Sequence, residues 1–104
     1  MRNHVLIGVT TAIASRKVRL PLANVMAFIE ATGSSGTPSV LIQLEGTQDE
    51  YGTNWIIVAG PSNITGNGQF KLEKPAGQFY EFYRLNITQF VGTLTLEGFI
   101  GGPE

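Results

Sequence analysis

The sequence predicts an all-β, antiparallel fold of about eight short strands, a sandwich or a barrel, and three observations carry that expectation. Val, Ile, Thr and Phe recur along the chain, and branched and aromatic side chains suit a pleated, half-buried surface. Thirteen glycines and five prolines interrupt them at turn positions. Between the interruptions apolar residues alternate with polar ones, in runs that follow each other every 8–12 residues or so. At 104 residues the chain fits one domain, 1–104, able to bury roughly 65% of its unfolded surface.

The elements follow in order. "HVLIGVT" (4–10) and "KVRLP" (17–21) read as the first strands, with Pro21 at an end where no ladder donor is needed. Residues 1–19 form an N-terminal strand or an arm. In "NVMAFIEA" (24–31), Val25, Ala27 and Ile29 alternate as in a strand. Leu22, Val25, Met26 and Ile29 also trace a helical stripe, and the flanking strands favour the strand reading. "ATGSSGTPS" (31–39) reads as a hairpin loop leading into "SVLIQLEG" (39–46), where Val40, Ile42 and Leu44 share a face. After the acidic turn come "NWIIVAG" (54–60), a short "QFKLE" (69–73), a turn on Pro75 and Gly77, the aromatic "FYEFYRLNITQF" (79–90) and "GTLTLEGFI" (92–100). "IQLEG" (42–46) and "LTLEG" (94–98) echo each other: a buried Leu, an outward Glu and a Gly at a bend account for both. The expected core residues are Leu44, Trp55, Ile57, Leu85, Ile87, Leu94 and Leu96. Arg84, Asn86 and Thr88 are expected on the opposite face, with Arg84 replaceable by Lys or Gln.

Composition excludes several classes. With no cysteine there is no disulfide, thiolate nucleophile or cysteine zinc site. Charged residues make up 14% of the chain at a formal net charge of −1, without the basic cluster that a nucleic acid or an acidic membrane surface requires. The apolar runs fall short of the roughly 20 residues that span a bilayer. The apolar start is broken by Gly8, Thr10 and Thr11, unlike a signal-peptide core. Charge is distributed unevenly: Arg2, Arg16, Lys17 and Arg19 against Glu30 give residues 1–36 a net +3, leaving −4 for the rest.

Candidates for chemistry are few. His4 is the only histidine and stands at no triad spacing from a serine or an acid. Glu45, Asp49 and Glu50 are oxygen donors of the kind calcium takes, but their spacing does not match the helix-loop-helix calcium loop, and they read as solvated turn charges. No catalytic, cofactor or metal site is therefore expected, and the protein is expected not to be an enzyme. Trp55, Tyr51 and Tyr80 offer flat rings on which a sugar would stack; Trp55 instead reads as core because it opens an apolar strand. "NIT" occurs at Asn63 and Asn86 with no glycan assigned.

The run "VLIQLEGTQDEYGTNWIIVAG", followed by "GQFYEFYRLNIT" and "GTLTLEGFIGG", resembles a pattern common in small structural proteins of tailed bacteriophages. Their pattern has a Leu-Glu-Gly strand end, Asn-Trp opening the next strand, an aromatic-Arg-x-Asn-x-Thr strand and a terminal Gly-Thr-x-Thr strand. Gly46, Asn54, Trp55, Arg84, Asn86, Thr88, Gly92, Thr93 and Thr95 fall on it, over roughly residues 40–102, while the turn before Trp55 is longer here. The resemblance implies an antiparallel, jelly-roll-like β-sandwich used in virion assembly. It implies a capsid decoration (cement), head-fibre or tail accessory protein, located in the virion, that docks on the major capsid protein or another virion protein. Open sheet edges with few charges to blunt them predict a homo-oligomer, and the resemblance implies a trimer over a dimer. The interface residues expected are Arg16, Lys17, Arg19, Tyr51 and Tyr80, and a small sugar-binding module is the alternative.

Overall fold

The structure, a computed structural model, describes residues 2–51 and 53–102. They form six strands and no helix: β1 (Arg2–Val9), β2 (Val18–Arg19), β3 (Met26–Thr47), β4 (Ile56–Ile64), β5 (Gly68–Glu73) and β6 (Phe82–Gly101). All pairings are antiparallel within one hydrogen-bonded sheet, in the order β1-β6-β3-β4, with β2 also on β6 and β5 also on β3.

Six strands stand where about eight were expected, because two pairs of predicted strands are continuous. "NVMAFIEA" and "SVLIQLEG" merge into β3, and the two predicted C-terminal strands merge into β6. The β3–β6 ladder runs from Met26 opposite Gly101 to Thr47 opposite Phe82, and shifts register between Thr32 and Ser39. Gly33, Gly36 and Gly92 take φ of +68°, +70° and +89° there, so the ribbon bends where a loop was expected, without losing its pairing.

The bend divides the ribbon in two. In the first half, residues 26–32 of β3 pair with 95–101 of β6, flanked by β5 and β1. In the second, residues 39–47 of β3 pair with 82–91 of β6, flanked by β4 and β2. The inward residues of both halves make one core, which includes Ala27, Ile29, Val40, Ile42, Tyr83 and Ile100, with Val5 and Leu6 of β1. Burial of each large apolar side chain contributes about 1.5–3 kcal/mol. The halves meet closely: a Cβ added at Gly98 in the first half would lie 2.9 Å from Leu85 Cδ1 in the second and 2.9 Å from Leu6 Cδ1.

Leu44, Leu85, Ile87, Leu94 and Leu96 are all buried in this core. Ile57 and Trp55 are not. Ile57 is 52% exposed, since it lies on the edge strand β4 opposite Glu45 and so shares the outward face with that carboxylate. Val58, its neighbour, takes the inward place. Trp55, just before β4, is half-buried and does not join this core.

Candidate interaction surface

Three connections meet at one end of the molecule: 20–25, 48–55 and 74–81. The last holds the other two. Its Lys74 amide donates to the Val25 carbonyl (3.0 Å), and its Glu81 amide donates to Thr47 (3.2 Å). The Gln48 side chain donates to the Phe79 carbonyl at 2.7 Å, and the Leu20 amide donates to Glu81 at 2.9 Å. Inside the third connection the buried Lys74 ammonium donates to the carbonyls of Pro75 and Gln78 and lies 5.2 Å from the Phe79 ring centre.

The acidic turn is organised by its aspartate. Asp49 accepts from the amides of Tyr51 (2.9 Å) and Thr53 (3.1 Å) and from the Thr53 hydroxyl, the local bonding that makes Asp a turn residue. The Thr53 hydroxyl first, then the two amides, hold its carboxyl below the usual carboxylate range. The Asp49 amide in turn donates to the Thr47 hydroxyl at 2.9 Å. Gly52 of this turn lies outside the described residues. The outcome is a braced loop that carries Tyr51 at 85% exposure, while Phe79 of the third connection is 61% exposed.

Around these rings stand charges that neutralise each other. Arg19 donates through Nε (2.9 Å) and Nη2 (2.6 Å) to Glu81, and the Lys17 ammonium sits 4.9 Å from the Phe82 ring centre. A shallow cleft of about 160 Å³ opens between Pro21, Gln48, Phe79, Tyr80 and Glu81. Exposed aromatic side chains on a rigid support, ringed by polar groups, are the composition of protein-contact anchors.

Of the expected interface residues, Lys17, Arg19, Tyr51 and Tyr80 belong to this end. Arg16 does not: its guanidinium reaches back toward the His4 carbonyl at 3.5 Å. Tyr80 is half-buried, edge-on to Tyr83 with ring centres 6.1 Å apart, and packs over Gly46, where an added Cβ would meet its ring at 2.8 Å. Phe79 went unnoticed in the sequence; its place just after the Pro75–Gly77 turn was the available signal.

On the outward face of the second half, the residues shared with the phage-like pattern converge. The Glu45 carboxylate, on a residue 5% exposed, accepts from Arg84 Nε (2.7 Å), Gln43 (2.6 Å) and Asn86 (3.0 Å). Burial pushes its carboxyl up, and the bonds from Asn86, Gln43 and Arg84 together outweigh that and hold it below the usual range. The Arg84 guanidinium lies 4.3 Å from the Trp55 ring centre. Outward placement of Arg84 and Asn86 agrees with the alternation, whereas the expected tolerance of Arg84 to Gln does not fit a partner of a buried carboxylate.

This geometry separates groups that the sequence placed together. Glu45 turns to Arg84 while Asp49 closes its own loop, so the acids of the turn do not converge on a cation. Trp55 is covered by Arg84, Tyr51 projects and Tyr80 is packed, so the three rings form no shared platform. His4 bonds Glu97 across the sheet at 2.7 Å and stacks on Phe99 with ring centres 4.3 Å apart.

No family model and no curated protein matches the chain. Among solved structures the fold is similar to that of the SPBc2 prophage-derived protein YomS, with a TM-score of 0.61 over 96% of this chain and 90% of that one, at 12% identity. It is also similar to PirA, with a TM-score of 0.52 over 99% of this chain and 92% of that one, at 16% identity. At these identities the likeness is one of fold.

Proposed function

We propose that the protein is a non-enzymatic structural component of a tailed-phage particle, a decoration protein that docks through the end bearing Tyr51 and Phe79. The observation that carries this is the construction of that end: three loops tied by main-chain and side-chain bonds hold two exposed aromatic rings in a charge-balanced setting. The prophage origin of YomS, which shares the fold along nearly the whole chain, supports the phage setting. Counting each half of β3 and β6 as a strand yields eight strands. They fall in two groups, β1, late β6, early β3, β5 and β2, early β6, late β3, β4, an order that supports a jelly-roll sandwich.

In this reading the protein is a homotrimer in the virion, seated on the major capsid protein. Its edge strands are covered by copies or by the particle. The test is co-sedimentation of the purified protein with phage heads, alongside light scattering. The expected result is a trimer that pellets with heads, and a Tyr51→Ser/Phe79→Ser variant that folds normally but stays in the supernatant. A monomer at every concentration would remove the trimer, and equal pelleting of variant and wild type would remove the docking end.

A further inference from the structure

The outward face of the first half carries a different chemistry. Across the strands, His4 stands opposite Phe99, Phe99 opposite Phe28, and Phe28 opposite Lys71; in the adjacent row Glu97 stands opposite Glu30, and Glu30 opposite Gln69. Between the rows lies a cleft of about 120 Å³ lined by Arg2, Phe28, Glu30, Gln69, Phe70 and Phe99. Arg2 forms one side of it, its guanidinium carbon lying over both rings, 4.8 Å from the centre of Phe28 and 5.6 Å from that of Phe99.

Two like charges directly opposite each other on paired strands are unfavourable. Glu97 is compensated by His4 and by the Gly8 amide. Glu30 is exposed and accepts from the Gln69 amide at 3.4 Å, a neutral and long bond, while the nearby Lys71 is drawn to Glu73 at 2.7 Å. The face therefore combines aromatic rings with a surplus of negative charge, the environment that attracts a cation both to the ring quadrupole and to the carboxylate.

We propose that this cleft is a receptor for an arginine side chain of a partner protein, and that Arg2 holds the place in the free chain. Arg2 itself shows that a guanidinium fits over these rings. A planar guanidinium can stack on Phe28 and still direct N–H groups at Glu30, which a lysine ammonium cannot do together. The space left open beside Arg2 is well below the roughly 300 Å³ at which small-molecule pockets begin. Arg2 is exposed at the first described position of an edge strand, so it can withdraw without uncovering the core. The proposal does not depend on the role proposed for the Tyr51 end.

The experiment is a titration, followed by amide NMR, with the peptide acetyl-Gly-Arg-Gly-amide and its citrulline counterpart, which has nearly the same shape and no charge. Shifts are expected at Phe28, Glu30, Gln69 and Phe99. Arg2→Ala should bind the arginine peptide at least about fivefold tighter than wild type, because its internal competitor is gone. Adding Glu30→Gln should reverse most of that gain, about fivefold being the worth of one exposed ion pair at its upper range. The spectrum of each variant reports whether β1 stays paired. Equal response to arginine and citrulline, shifts confined to other faces, or an Arg2→Ala variant that is folded yet binds no better than wild type would each overturn the proposal.

Discussion

Glu45 is an acid buried on the outward face of a sheet, and its three donors explain how it is tolerated. Removing one partner of such a carboxylate leaves it desolvated and under-bonded. Arg84→Gln should therefore cost about 2–3 kcal/mol in a urea melt, somewhat below the roughly 3–5 kcal/mol of fully buried pairs because Arg84 is itself partly exposed. Arg84→Lys should recover only part, since an ammonium neither stacks flat on Trp55 nor matches the Nε geometry. A loss below about 0.5 kcal/mol for Gln, the scale of ordinary surface substitutions, would mean that Glu45 finds other donors. The pH response follows from the sign of the shift. The folded state holds the Glu45 carboxyl below its ordinary value of 4.5, so its contribution is full above that value and fades as pH falls through the lowered one. Stability measured from pH 6 downward should drop more steeply in wild type than in Glu45→Gln, and parallel slopes would refute this. Alternation along "FYRLNIT" made Leu85 and Ile87 legible as core and Arg84 as outward. It could not reveal that Arg84 meets Glu45, because the two lie 39 residues apart and only the β3–β6 register joins them.

At the scale of elements, the β3–β6 ribbon turns on its glycines, which differ in what surrounds them. A Cβ at Gly92 would come within 2.8 Å of the Pro38 Cα, a backbone atom that cannot step aside, whereas one at Gly36 would meet nothing within 4 Å. Both have positive φ, so alanine strains both, by about 1–2 kcal/mol from conformation alone. Gly92→Ala should exceed Gly36→Ala by at least about 1 kcal/mol in thermal melts, because the clash adds to the strain. Equal losses would show that the bend relaxes around the new methyl. Turn-forming composition made "ATGSSGTPS" read as a loop, and the bend is indeed there. That the hydrogen-bond ladder carries through it depends on β6 bending in step at Gly92, which local composition does not encode. The same limit misplaced Ile57. An apolar pair such as Ile56–Ile57 suggests a strand covered on both sides, and only the knowledge that β4 is an edge strand exposes it.

At the scale of the molecule, the echo "IQLEG" and "LTLEG" has a structural counterpart. Each copy forms the inner strand of one half, next to an edge strand on one side and the bent partner on the other, and each glutamate is held by donors on a neighbouring strand. The all-β class was legible because periodicity and turn residues are local; the order of strands was not, since nearly every pairing joins distant parts of the chain. That order also decides geography. Arg2 and Gly101 face each other, and both ends of β3 are tied to the 74–81 connection, so the described ends of the chain gather on the side that carries Tyr51 and Phe79. The glycine bend at 33–36 lies at the opposite pole, exposed and unobstructed at Gly36. The fold is thus a scaffold with a built-in direction: a peptide spliced in at the bend would be held out into solvent, at the pole away from the loops that carry Tyr51 and Phe79 and from Arg2 and Gly101 beside them.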